Sequence, residues 1–363
     1  MKVLHVESGR YLYGGARQVL YIMEGLARRG VDNLLACPPS AHIAEPARAS
    51  ARVFELPMKG DLDFGLVGRL RRLIAAEQPD LVHIHSRRGA DLWGGLAAWL
   101  AGVPCVLSRR VDNPERRWVV KLKYRLYEQV ITISEGIRQV LLAEGLAPEQ
   151  VSCVRSAVDA APYLKAYDQA GFKAALGLAP DALLVGTVAQ LIARKGHRHL
   201  LAALPQVLAR HPKLQLLIFG RGPLEAELRQ SISAQGLAEH VRLMGFRDDL
   251  PAILGCLDLL VHPADMEGLG VSLLQASAAR VPIIATRAGG MPEAVRDRIN
   301  GLLIEPGDVA GLAAAMNELL DDAQLRERMG QAGRQLVLDD FSVDAMCEGN
   351  LAVYRHLLET RKR

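Results

Sequence analysis

Short apolar runs alternate with longer amphipathic stretches along the whole chain. Residues 3–6, 34–36, 53–56, 81–85, 104–107 and 130–133 are rich in Val, Leu and Ile and too short for helices. Such runs predict strands covered on both faces. Between them, residues 16–29, 65–77 and 89–100 carry apolar positions at helical spacing. Repeated strand–helix units predict a parallel sheet with helices on both sides. Residues 156–181 hold no strand-like run and contain Pro162, Gly171, Gly177 and Pro180, so a domain boundary is expected there. The pattern then restarts at 183–188, 214–219, 241–244, 257–261, 283–285 and 301–304. From about residue 322 the chain reads as helix to its end, with Met346, Leu351, Tyr354, Leu357 and Leu358 at helical spacing. The expectation is an α/β chain of two Rossmann-like domains in series, residues 1–160 and 161–340. A helix over 341–363 packs back toward the first domain. Open parallel sheets bind ligands beyond the carboxyl ends of their strands. The active site is therefore expected in the interdomain cleft, on loops that follow strands.

Composition narrows the class. The 363 residues are 50% apolar and 23% charged, which excludes disorder. Five scattered cysteines (Cys37, Cys105, Cys153, Cys256, Cys347) form no C-x-x-C pair. They suggest buried thiols in a reducing compartment rather than a zinc site or disulfide framework. The opening Met-Lys-Val-Leu-His-Val-Glu reads as a strand, not a targeting segment, and no run reaches membrane-spanning length. The expected location is the cytoplasm. Net charge is +4, but residues 1–160 hold 22 Lys/Arg against 17 Asp/Glu, and 161–363 hold 22 against 23. The positive excess thus lies in the first half.

The loops after the strands carry the candidate chemistry. Gly14 and Gly15 precede the first helix, where backbone can approach an anion. A plain turn would use the same pair. No G-x-G-x-x-G dinucleotide fingerprint occurs. After residues 183–188 comes Arg194-Lys195-Gly196. Two cations beside a helix start oppose the helix dipole unless an anion compensates, and a diphosphate suits them, although two solvated surface cations would read the same way. Phe219-Gly220-Arg221-Gly222-Pro223 and Gly245-Phe246-Arg247 are strand-to-loop turns able to hold a nucleotide base. The segment His262-Pro263-Ala264-Asp265-Met266-Glu267-Gly268-Leu269-Gly270-Val271 is the most specific. Glu267 there suits sugar hydroxyls or a plain helix cap, the amides of 268–271 suit phosphate, and Gln275 follows on the helix. Arg287-Ala288-Gly289-Gly290-Met291-Pro292-Glu293 is another glycine loop before a helix.

The ordered set of these loops resembles glycosyltransferase family 4, over nearly the whole chain. The resemblance implies the two-domain GT-B architecture and a retaining, metal-independent hexosyl transfer from a nucleotide-diphosphate sugar, with no cofactor. It implies that Arg194 and Lys195 hold the diphosphate, that Glu267 contacts the donor sugar, and that amides near Gly270 hold the phosphates. Two positions depart from the family. Gln275 stands where a second Glu usually holds the ribose, and Arg110 stands where many relatives carry a histidine. Within the family the chain resembles enzymes of lipopolysaccharide and envelope glycan synthesis, and a UDP-sugar is the preferred donor. The same fold would serve a nucleotide-sugar epimerase or a binding protein that has lost turnover. Dependence of product on acceptor separates these readings.

Acceptor contacts are expected from His85, Arg87, Arg109 and Arg110 at the carboxyl edge of the first sheet. His83 and His85 share one strand face. No third metal ligand is evident beside them, so core packing is expected for His83 and cleft lining for His85. Residues 109–125 concentrate the basic charge. A helix with an apolar stripe of Trp118, Val119, Leu122, Leu126 and Val130 and cations on its other faces could lie on an anionic membrane, with Arg116, Arg117, Trp118, Lys121, Lys123 and Arg125 as the peripheral contacts. An ordinary solvated helix packed on the sheet fits the same residues. The acceptor is then a glycan or a lipid-linked glycan. Nucleic acid fits poorly, because the basic charge is local.

Overall fold

The computed structural model of the chain describes residues 1–86, 89–111, 113 and 115–362. It divides into two units, residues 1–157 with 343–363, and residues 158–342.

The first unit contains, among the described residues, β1 (Lys2–Val6), β2 (Asp32–Cys37), β3 (Arg52–Glu55), β4 (Leu81–Ile84), β5 (Cys105–Arg109), β6 (Gln129–Thr132) and β7 (Val151–Cys153). They form one parallel sheet in the order β3-β2-β1-β4-β5-β6-β7. Alternate side chains feed two cores. Leu4, Val82, Ile84 and Leu107 enter one. Val3, Leu81 and Val106 enter the other, where the C-terminal helix (Val343–Lys362) adds Met346, Leu351 and Tyr354.

The second unit contains β8 (Leu184–Val188), β9 (Gln215–Phe219), β10 (Val241–Gly245), β11 (Leu259–His262), β12 (Ile283–Thr286) and β13 (Gly301–Ile304). These are parallel in the order β10-β9-β8-β11-β12-β13. The strand order reverses at β1/β4 in one sheet and β8/β11 in the other, the switch points where open α/β sheets bind ligands.

Three local features depart from the pattern reading. β7 is three residues long and too short for periodicity to reveal. The helix expected over 89–100 begins as a π-turn (Ala90–Gly94) and continues as an α-helix (Gly95–Ala101). The tail breaks at Phe341 and Ser342 into the helices Ala323–Asp340 and Val343–Lys362. Asp322 caps the first of these by accepting from the Leu325 amide at 2.8 Å.

Candidate active site

At the switch point of the second unit, the loop after β8 tightens into a 3-10 turn (Ala193–Lys195) before the helix His197–Leu208. Gly196 sits at φ +68°, and a Cβ there would come within 1.8 Å of the Pro263 carbonyl oxygen. Glycine therefore lets this loop lie directly on the loop that follows β11. The Asp265 amide donates to the Arg194 carbonyl at 2.8 Å, and Arg194 Nη1 donates to the Met266 carbonyl at 3.2 Å. Asp265 also takes Arg198 at 2.7 Å and His199 at 3.0 Å.

These contacts bring Lys195 to Glu267. Lys195 is 7% exposed, and its ammonium donates to Glu267 Oε2. His262 Nε2 lies 3.0 Å from the same oxygen, and the Gly268 amide donates to Oε1 at 3.0 Å. A carboxylate only accepts, so His262 carries its proton on Nε2. Burial alone would raise the Glu267 carboxyl. The His262 hydrogen bond and the Lys195 charge outweigh it and hold the group well below the usual carboxylate range. Glu267 is ionised at neutral pH and cannot serve as a general acid. Burial lowers His262 and takes the neighbouring His197 down to about 4. The anion that the Arg194-Lys195 pair requires is thus supplied in part by the protein itself.

The β11 loop ends at Gly270, at φ +88°, where the helix Val271–Ala278 begins with neither a side-chain cap nor an acid in its first turn. Gly268, Leu269 and Gly270 are buried, and Val271 is half-buried. Gln275 is half-buried in the second turn of that helix. Gly220, at the end of β9, has φ +142°, and a Cβ there would meet the Ala189 carbonyl at 1.9 Å. Close packing of neighbouring strand ends requires that glycine. Phe246, past β10, is exposed, with the Arg221 guanidinium 5.7 Å from its ring centroid.

The switch point of the first unit holds a second polar cluster. His5 on β1 is register partner of His83 on β4. His85 follows β4, and its ring lies 3.8 Å from that of His83, centroid to centroid. His5 Nδ1 and His85 Nε2 are 2.9 Å apart, and Arg110 Nη2 lies 3.4 Å from His85 Nδ1. A Cβ on Gly15 would lie 3.8 Å from Arg110 Cδ, which places Arg110 beside the Gly14-Gly15 start of the helix Gly14–Ala27. Burial lowers Arg110 to about 10, against the pull of Glu7, so it remains a cation at neutral pH.

Several expectations for this unit are corrected. His5 is the third histidine that the sequence did not reveal: the ligand atoms of His5, His83 and His85 lie within 4.8 Å of one another. It is a neighbour only because β1 pairs with β4. His85 is not exposed as an acceptor contact would be. It is buried, and both its nitrogens face protein partners. Arg109 is 3% exposed, ion-paired with Glu115 at 3.3 Å and bonded to the Asn113 carbonyl at 2.5 Å, so it faces inward rather than toward an acceptor. Arg87 lies outside the described residues.

The basic helix is inverted relative to its predicted stripe. The α-helix is Arg117–Lys123, followed by a 3-10 turn (Tyr124–Leu126). Val120, Lys123 and Tyr124 face the core, while Trp118 and Leu122 are each 64% exposed. Lys123 is no membrane contact, because it is buried between Asp91 at 2.6 Å and Glu115 at 3.1 Å. Two carboxylates offset its desolvation, which a periodicity argument cannot foresee. Arg116, Arg117, Lys121 and Arg125 are exposed. Arg117, Trp118 and Lys121 line a groove of about 570 Å³ with residues 142–145. Among the described residues, no helix is long and apolar enough to cross a membrane.

Comparison with known proteins gives the family and the fold. Residues 13–161 match the family described as Glycosyltransferase Family 4, and residues 168–336 match Glycosyl transferases group 1. The chain is 30% identical to a 2-deoxystreptamine glucosyltransferase of Streptomyces kanamyceticus, over 81% of this chain and 84% of that one. It is 27% identical to the lipopolysaccharide core biosynthesis glycosyltransferase LpsE of Rhizobium meliloti, over 97% and 98%. The Anabaena Alr3699/HepE structure in complex with UDP and glucose superposes with a TM-score of 0.84 at 22% identity, covering 98% of this chain and all of that one. The fold is GT-B.

Proposed function

The chain belongs to the group 1, family 4 glycosyltransferases, and we propose that it moves a hexose from a UDP-sugar, with retention and without a metal, to an envelope glycan or lipid-linked acceptor. The observation that carries the proposal is the buried Lys195–Glu267–His262 cluster beside an uncapped helix start at the β8/β11 switch point. A diphosphate suits this place. Arg194, Lys195 and the amides around Gly270 offer positive charge to a leaving group. Glu267, ionised and pinned by His262, holds Lys195 in place and keeps acceptor capacity for a sugar hydroxyl. Phe246 and Arg221 offer an exposed face and a cation to a base. Gln275 serves the ribose, accepting from one hydroxyl and donating to the other.

The acceptor oxygen bonds to the anomeric carbon on the face from which the diphosphate departs. The carbon–oxygen bond to phosphate breaks, and the departing phosphate oxygen takes the acceptor's proton. Such a step needs no protein nucleophile. The first unit takes the acceptor, with Arg110 as a polar contact, and the Gly14-Gly15 loop offers its backbone to the donor. Exposed Arg116, Arg117, Trp118, Lys121 and Arg125 favour peripheral contact with anionic lipid at the cytoplasmic membrane face, which suits a lipid-linked acceptor. The lipopolysaccharide core role of LpsE supports that acceptor class. UDP in the HepE structure supports the choice of base.

Thermal unfolding against UDP, GDP, ADP and TDP and their sugar conjugates, in chelator, tests the reading. A ligand at 100 times its Kd stabilises by about 2.7 kcal/mol. Selective stabilisation by UDP and UDP-sugars is expected. Stabilisation by no nucleotide, or only after a divalent cation is restored, would overturn the donor assignment.

A further inference from the structure

The buried histidines of the first unit form a chain whose hydrogen-bond direction the structure fixes. Asn33 Nδ2 lies 2.9 Å from the Met23 carbonyl and 3.2 Å from the Ser50 carbonyl. Carbonyls only accept, so the amide nitrogen must point at them. The oxygen Oδ1 is then the atom 3.2 Å from His5 Nε2, and it accepts from that nitrogen. Burial keeps His5 neutral, with a value near 4 despite the Asn33 bond. Its Nδ1 therefore carries a lone pair and accepts from His85 Nε2, 2.9 Å away. Burial, then His83, His5 and Arg110, hold His85 neutral too. Its remaining nitrogen, Nδ1, is the acceptor for Arg110 Nη2 at 3.4 Å. A guanidinium cannot accept, so one proton arrangement alone satisfies every link of the chain.

His83 stands beside the chain rather than in it. Its nitrogens meet Tyr354 Oη at 2.5 Å and Ser108 Oγ at 2.9 Å, while its ring lies against His85. Those two bonds, and the Arg110 cation beside His85, oppose a divalent metal among the three imidazoles.

We propose that Asn33, His5 and His85 form a directional hydrogen-bond relay that holds the Arg110 guanidinium beside Gly15, making Asn33 and His5 positioning residues for sugar transfer. The relay links β2 through β1 and β4 to a cation at the sheet edge. Turning any member would present a proton to Arg110 and displace it. The link to transfer rests on the transferase reading, and the relay itself does not.

Two measurements test it. Long-range ¹⁵N–¹H NMR of the imidazoles in the wild-type protein at pH 7 is expected to show His5 and His85 both protonated on Nε2 and bare on Nδ1. The second measurement is the rate of UDP release from UDP-glucose. His5→Gln keeps a donor and an acceptor in the same order and should retain the wild-type kcat/KM within about threefold. His5→Leu breaks the order and should lose at least tenfold. His85 protonated on Nδ1, or Gln and Leu variants with equal turnover, would overturn the relay. A wild-type protein that releases no UDP from UDP-glucose would point to strict acceptor dependence or another donor, and the imidazole spectrum would still decide the relay.

Discussion

At both switch points the strand beyond the reversal carries histidine at its carboxyl end, His83 on β4 with His85 just after it, and His262 on β11. The clusters around them differ in kind. In the first unit the imidazoles are neutral and linked by hydrogen bonds of fixed direction, with one cation, Arg110, at the end. In the second, His262 shares a carboxylate with a buried lysine, so the cluster is held by charge. The neutral relay can point a group without attracting an anion strongly. The charged cluster keeps a cation ready where the proposed reaction has a diphosphate depart. Under the proposed function, this difference gives positioning to the first unit and charge stabilisation to the second.

The largest effect should come from breaking the charged cluster. Lys195→Ala leaves Glu267 buried without its ammonium, which should cost roughly 3 kcal/mol of stability and lower sugar transfer by about a thousandfold. Adding Glu267→Gln should restore most of the stability and none of the transfer. Urea denaturation and UDP release read the two separately. A double variant as unstable as the single would show that the ion pair is not what holds these loops.

A structural lysine of the first unit comes next. Lys123→Ala should cost roughly 2 kcal/mol, since Asp91 and Glu115 lose their shared partner. Denaturant midpoints check this, and a midpoint unchanged from wild type would contradict its burial.

Acid should separate the two clusters. Burial lowers His5 to about 4 and His83 and His85 well below their ordinary value. The unfolded chain binds protons there below about pH 6.5 while the folded one does not. Stability from these groups is complete above that pH and is lost as pH falls toward 4. Glu267 works differently: its depressed value gives stability above the ordinary carboxylate range, lost only at more acid pH. His197 and His262 also weaken the second unit, but Glu267 favours the protonated His262. The three tryptophans, Trp93, Trp99 and Trp118, all lie in the first unit. The fluorescence midpoint in urea should therefore drop between pH 7 and 5 by more than the part of the circular dichroism signal left to the second unit. Equal drops would erase the contrast.

The smallest effect concerns the surface. Lys121→Ala should leave stability within about 0.5 kcal/mol and weaken binding to anionic vesicles about fivefold. Lys123→Ala should do the reverse. Equal vesicle binding by both variants would remove the membrane reading.

The two parallel sheets were legible because their central strands are buried on both faces and read as unbroken apolar runs. Arg194, Lys195 and Glu267 were legible as candidates because each sits in a loop directly after such a run. Their mutual contact was not, since it depends on the pairing of β8 with β11 and on Gly196 lying against Pro263. His262 was visible in the sequence, but nothing there joins it to Glu267. His5 and Asn33 looked like polar residues inside strands, and only the order β2-β1-β4 makes them a chain. Lys123 misled because helical spacing sorts residues by polarity, while two distant carboxylates decided its burial. Arg221, behind Phe246, carried no signal beyond its place after β9.

The most direct test of the account is calorimetric titration of UDP and of uridine, in chelator, into the wild type and the Arg194→Ala and Lys195→Ala variants. The account predicts that UDP affinity falls at least tenfold in each variant while uridine affinity stays within twofold. UDP bound equally well by all three proteins would contradict a diphosphate site at the β8/β11 switch point.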